Sequence, residues 1–132
     1  MRTVVIGSGS WGTALAQVLQ DNHQEVMVYG VAENEVNDIN ENHKNSKYFA
    51  DVELNPELKA TTDISCVKGA DIVLLAVPTI AIDPICHQIN ELLDKKTIII
   101  NVSKGFHPET NERMSEVIRR CIDEDKLSSV VS

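Results

Sequence analysis

Residues 3–15 read Thr3-Val4-Val5-Ile6-Gly7-Ser8-Gly9-Ser10-Trp11-Gly12-Thr13-Ala14-Leu15, and their order decides the fold. Residues 3–6 are a β-branched run of the kind found in strands buried on both faces of a parallel sheet. Three glycines follow at the spacing G-x-G-x-x-G. Trp11, Ala14, Leu15, Val18 and Leu19 then recur at i, i+3, i+4, i+7 and i+8, one face of a helix. Glycines serving only a tight turn would be the plain reading, but their position between strand and helix gives the pattern its meaning. Gly7 permits the turn, Gly9 removes a side chain that would block a pyrophosphate, and Gly12 lets the helix approach the strand. The helix start near Ser10-Trp11 points unpaired N–H groups and the positive end of its dipole at such phosphates.

The alternation continues outward from this stretch. Residues 25–29 read as a second strand and residues 33–42 as a weaker helix with Val36 and Ile39 turned inward. A polar, irregular connection is expected over 43–58, then a short strand at 59–61. Residues 70–77 are the most apolar segment and read as a central strand stopped by Pro78. Asp83 and Pro84 have the residue types of a helix N-cap and first position, ahead of an inward face of Ile85, Ile89, Leu92 and Leu93. Residues 97–102 form the next strand, Met114, Val117, Ile118, Cys121 and Ile122 another helical face, and residues 129–131 begin a last strand. Strands and helices in strict alternation imply right-handed crossovers. The expected fold is therefore α/β, a doubly wound (Rossmann-type) parallel sheet with helices on both faces, in a single domain spanning 1–132.

Composition narrows the function classes. The chain carries 12 basic and 20 acidic side chains, a net charge of −8, which opposes nucleic acid and anionic membrane as partners because both need a basic face. No apolar run approaches the length of a membrane span. The chain opens directly on a strand-like run with no signal segment, so a cytoplasmic location is expected. Cys66, Cys86 and Cys121 are widely spaced and read as buried, reduced thiols. The four histidines show no paired metal spacing, and no metal is expected.

Open α/β sheets bind ligands beyond the carboxyl ends of their strands. The second strand ends in Tyr29-Gly30-Val31, without the carboxylate that commonly grips a ribose. Glu33 comes late and reads as a favourable charge at a helix N-terminus before it reads as a displaced ribose grip. No arginine stands at 31 or 32 to clasp a 2′-phosphate, so NAD and NADP both stay open as cofactors. Ala76-Val77-Pro78 either stops its strand or lets a flat nicotinamide lie close. Lys104-Gly105, straight after the fifth strand, is either a solvated charge or an ammonium placed to bind a substrate phosphate or polarise a carbonyl.

Taken together, the glycine stretch 7–16, the run Asn37-x-Ile39-Asn40-x-x-His43-x-Asn45-x-x-Tyr48, Ala76-Val77-Pro78, and Ser103-Lys104-Gly105 with Glu109-Thr110 resemble the N-terminal domain of NAD(P)-dependent glycerol-3-phosphate dehydrogenases. The resemblance implies reversible hydride transfer between NAD(P)H and dihydroxyacetone phosphate or sn-glycerol 3-phosphate, a small phosphate substrate, in the supply of glycerophospholipid precursors. It implies cofactor contacts at Gly7, Ser8, Gly9, Ser10, Trp11 and Gly12, the adenosine end read at Val31, further contacts at Tyr48, Pro78 and Ala81, and Lys104 touching both cofactor and substrate. Family members often carry a basic residue where this chain has Val31. They continue with a Ser-Gly-Pro segment and a helical substrate domain bearing the catalytic lysine, and are commonly homodimers. The expectation is thus a cofactor-binding half, inactive by itself. Readings from other classes are a ketopantoate-type or hydroxyacid reductase domain, a nucleotide-sensing regulatory module, or a degenerate fold used only for association.

Overall fold

The computed structural model describes residues 1–49, 51–103, 105–123, 126 and 130–131. Six parallel strands form one sheet: β1 (Arg2–Ile6), β2 (Glu25–Tyr29), β3 (Lys59–Thr61), β4 (Ile72–Leu75), β5 (Ile98–Asn101) and β6 (Val130–Val131). Their spatial order is β3-β2-β1-β4-β5-β6. The chain winds outward from β1 to β3, returns to pair β4 with the other side of β1, and winds outward again. β1 is thus flanked by β2, with Ile6 opposite Tyr29, and by β4, with Ile6 opposite Leu75. Between β1 and β4 the strand order reverses and a crevice opens at their carboxyl ends.

Alternation along the strands supplies two cores. Val5, Val26, Val28 and Leu74 face one side, joined by Ala16 from helix α1 (Ser10–Asp21) and by Val36 and Ile39. Val4, Ile6, Tyr29, Val73 and Leu75 face the other, beneath helices α3 (Thr79–Ile89) and α4 (Met114–Cys121). The period-2 geometry of a strand sends neighbouring residues to opposite layers, so β1, β2, β4 and β5 place apolar residues on both faces of the sheet.

Several local expectations are corrected. Helix α1 does not bury Trp11 and Val18, which are 60% and 57% exposed; Gly12, Thr13, Ala16 and Gln20 face inward, with Leu15 and Leu19 at the margin. The helix is turned by about one residue, roughly 100°, because Gly12 must meet the backbone of the glycine turn. Asp83 and Pro84 do not begin α3. The helix starts at Thr79 after Pro78, and Pro84 lies inside it. Ile82 is fully buried along with Cys86 and Ile89, so the apolar stripe begins before Pro84 and pulls the helix start with it, at the cost of one missing backbone hydrogen bond. That helix also ends before Leu92 and Leu93, although Leu93 is buried.

The helix expected over 33–42 is α2 (Glu33–Asn37) followed by a wider π turn, Asp38–Asn42. The connection after it is irregular, as its composition implies, yet Asn45, Leu54 and Leu58 within it are buried, and the two leucines complete the α1-side core. Cys86 and Cys121 are buried and Cys66 only half-buried; all three are free thiols. Among the described residues no helix is long and apolar enough to cross a membrane.

Candidate functional site

The turn from β1 into α1 is shaped by backbone contact. Gly7 has φ +128°, a conformation L side chains rarely adopt, and a Cβ there would run into the carbonyl of Ala76. A Cβ on Gly12 would run into the carbonyl of Gly7. Gly9 is different: an added Cβ would meet nothing within 4 Å. The space above Gly9 is the crevice itself, so this glycine keeps room for a ligand and carries no packing duty. Gly9 is also the N-cap of α1, and no side chain caps the helix or places an acid in its first turn. The N–H groups of that turn face the crevice unneutralised, which suits an anion.

The turn is held from outside by a residue that the sequence reading placed in the matching run but gave no role. Asn45 is 0% exposed, and its Nδ2 donates to the Ser8 carbonyl at 2.7 Å and to Thr13 Oγ1 at 2.9 Å. Thr13 Oγ1 in turn donates to the same carbonyl at 3.3 Å. The loop carrying Asn45 is itself stapled by Asp38, whose carboxylate accepts from Ser46 N–H at 2.8 Å and from Asn42 at 3.0 Å. These bonds, the backbone one first, hold the Asp38 carboxyl below its usual range. Gly30, at the end of β2, is a second residue without an assigned role. A Cβ there would strike Ser8 Oγ and Cβ, so its absence seats the glycine turn against β2.

Across the crevice, Ser103 joins the ends of β4 and β5. Its Oγ accepts from Val77 N–H at 3.2 Å and donates to the Val77 carbonyl at 2.5 Å. Asn101 brackets Ser103 in turn, accepting from its N–H and donating to its carbonyl, both at 3.0 Å. Ala76-Val77-Pro78 is thereby fixed as the far wall.

Two adjoining grooves occupy the crevice. One, of about 290 Å³, is lined by Gly7, Ser8, Gly9, Gly30, Val31, Glu35, Tyr48, Pro78 and Ala81 among others. The next, of about 580 Å³, is lined by Gly9, Ser10, Trp11, Tyr48, Pro78, Val102 and Ser103 among others. The structure thus brings nine of the candidate residues to one continuous groove: Gly7, Ser8, Gly9, Ser10, Trp11, Val31, Tyr48, Pro78 and Ala81. Gly12 lies beneath it as packing, and Lys104 lies outside the described residues. Val31, 81% exposed, marks the end beyond β2. Glu33 opens α2 as a helix-end charge, while Glu35, one of the acids in the same first turn, lines the groove. Helical spacing alone does not separate these two; the angle at which α2 leaves β2 does.

A family described as NAD-dependent glycerol-3-phosphate dehydrogenase N-terminus matches residues 2–132. Glycerol-3-phosphate dehydrogenase [NAD(P)+] of Listeria monocytogenes is 47% identical over 131 residues, 98% of this chain and 39% of the relative. The enzyme of Macrococcus caseolyticus is 45% identical, with 40% of its length covered. A solved glycerol-3-phosphate dehydrogenase from Coxiella burnetii superposes with a TM-score of 0.84 at 28% identity, over 98% of this chain and 38% of that one. The chain therefore spans about two-fifths of the length of the relatives it matches. With the glycine turn seated at the strand-order reversal and the match running over nearly every residue, this chain belongs to the family of NAD-dependent glycerol-3-phosphate dehydrogenase N-terminal domains.

Proposed function

We propose that this chain binds a nicotinamide dinucleotide across the crevice and serves as the cofactor half of an oxidoreductase that interconverts dihydroxyacetone phosphate and sn-glycerol 3-phosphate. The observation that carries the reading is the open space over Gly9, bounded by the uncapped start of α1 at the point where strand order reverses. The residues fit the group. Backbone N–H groups of the first turn of α1 hold the pyrophosphate. Val31, Glu35 and Tyr48 border the adenosine end, and Val77 and Pro78 form a flat wall for the nicotinamide. The bound nicotinamide supplies a hydride donor or acceptor.

Glu35 supports a preference for NAD over NADP, because its carboxylate borders the end of the groove where a 2′-phosphate would lie. Lys104 is assigned the substrate phosphate or carbonyl, following the family pattern. The Asn101–Ser103 knot would fix the backbone immediately before it. Turnover is assigned to this part together with the remainder that the relatives carry.

Calorimetric titration with NADH and NADPH tests the proposal. The expected result is one-to-one binding, with NADPH weaker by about tenfold, 1.4 kcal/mol. Absence of binding by either cofactor would overturn the assignment of the groove. In a protein of the relatives' length, Lys104→Ala is expected to depress turnover of dihydroxyacetone phosphate by a larger factor than it weakens NADH binding.

A further inference from the structure

Away from the cofactor groove, α3 and α4 bring Asp83, His87 and Cys121 together. None of the three lines either groove. Asp83 and His87 stand at i and i+4 on α3 and so share a face; Cys121 is the last residue of α4. Their donor atoms form a tight triangle. His87 Nε2 lies 3.0 Å from Asp83 Oδ1, Cys121 Sγ lies 3.2 Å from the same oxygen, and sulfur and nitrogen are 3.6 Å apart.

Tetrahedral zinc, with bonds near 2.3 Å to sulfur and 2.0–2.1 Å to nitrogen and oxygen, has ligand–ligand edges of about 3.5 Å to sulfur and about 3.3 Å between nitrogen and oxygen. Each observed edge is within about 0.3 Å of that figure. Arg120 stands at the rim of the triangle, its Nη1 3.6 Å from Cys121 Sγ. Arg120 holds Asp83 Oδ2 at 2.9 Å, orienting the carboxylate so that Oδ1 faces the other two donors. The charge of Arg120 is itself answered by Glu112, at 2.9 and 3.1 Å. A carboxylate and a thiolate then remain to balance a dication. The buried sulfur forms the floor, and the His87 side chain, 63% exposed, leaves an entry path.

Burial pushes the Cys121 thiol up to about 11, and the hydrogen bond to Asp83 acts in the same direction. The trio therefore lacks the lowered thiol that a nucleophilic cysteine needs.

We propose that Asp83, His87 and Cys121 form a binding site for a divalent transition-metal ion of borderline softness, such as zinc, which ties α3 to α4 and leaves one coordination position to solvent. Mixed sulfur, nitrogen and oxygen donors in this geometry select that class over magnesium or calcium.

Titration of the full 132-residue chain with Co²⁺ tests it, because a cobalt–thiolate bond gives a near-ultraviolet charge-transfer band and four-coordination gives intense visible bands. The expected result is one equivalent of cobalt bound with both features, and displaced by Zn²⁺. Cys121→Ser is expected to abolish the charge-transfer band, while Cys66→Ser leaves it unchanged. His87→Gln, an exposed change that spares the fold, should weaken binding by at least about tenfold, the scale on which even outer-shell changes register. Absence of a charge-transfer band in the parent protein would overturn the site. So would a band that survives Cys121→Ser, or an affinity unchanged in His87→Gln; this last arm decides the matter should Cys121→Ser fail to fold.

Discussion

The two βα turns that face each other across the crevice are built on different principles. The β1–α1 turn has no side chains at its critical points. Gly7 and Gly12 exist so that backbone can touch backbone, and Gly9 exists so that nothing does. The β4–α3 turn is made of Ala76, Val77 and Pro78 and is held by the hydroxyl of Ser103, 26 residues further on. One wall is shaped by backbone sterics, within the turn at Gly12 and against Ala76 at Gly7, and the other by a hydrogen bond across the sheet. Both shapes need strand pairing, β1 with β4 for the first and β4 with β5 for the second, but only the first leaves a local mark in the glycine spacing.

Substitutions should separate the two kinds of wall. The largest effect is expected from Gly12→Ala, because its neighbour is a carbonyl in rigid backbone. A loss of about 3 kcal/mol or more, read as a denaturant midpoint, follows from overpacking with nowhere to relax; a midpoint unchanged by this variant would sink the backbone-contact account. Gly9→Ala should do the reverse. Its stability should stay within about 1 kcal/mol of the parent, the scale of a Gly-to-Ala backbone effect. NADH affinity, measured by calorimetry, should fall at least about tenfold, or 1.4 kcal/mol.

Asn45→Ala lies next in size. It strips two buried hydrogen bonds from the glycine turn and should cost about 1–3 kcal/mol of stability, with weaker NADH binding as the second readout. Ser103→Ala removes the clasp on the opposite wall and should cost about 1 kcal/mol. Its mark should be a smaller loss of NADH affinity than Gly9→Ala gives; a larger one would reverse the assignment of the phosphate grip to the β1–α1 turn.

The smallest effect concerns pH. The folded-state carboxyl of Asp38 is lowered from 3.8 by its bonds to Ser46 and Asn42. Its contribution is therefore complete above the unfolded value and disappears as pH falls through the lowered one. Thermal midpoints of the parent and Asp38→Asn should differ at neutral pH and converge as the solution is taken below the usual aspartate range. A gap that persists at acid pH would show that the carboxylate's charge is not what staples the Asn45 loop.

The groove residues that were legible in sequence are those whose reason is local. Gly7, Ser8, Gly9 and Ser10 follow from one strand–turn–helix reading, and Pro78 from a strand's end. Asn45, Gly30 and Glu35 carried no comparable signal. Asn45 acts on Ser8 and Thr13 at separations of 37 and 32 residues, Gly30 is small because Ser8 leans on it, and Glu35 is selected by the exit angle of α2. Trp11 was named as a cofactor neighbour only through the family resemblance, and its helical period assigned it to the core. The close approach of Gly12 to the Gly7 carbonyl overrides that period and turns the indole toward the groove.

The amino-acid sequence by itself determined the parallel, doubly wound sheet and the glycine turn, because hydrophobic period and glycine spacing act over a few residues. Tertiary structure alone decided where α3 begins, how α1 is rotated, which acid borders the groove and which donors meet between α3 and α4. Each of those depends on packing or hydrogen bonding between residues far apart in the chain, and no local propensity encodes the distance between them.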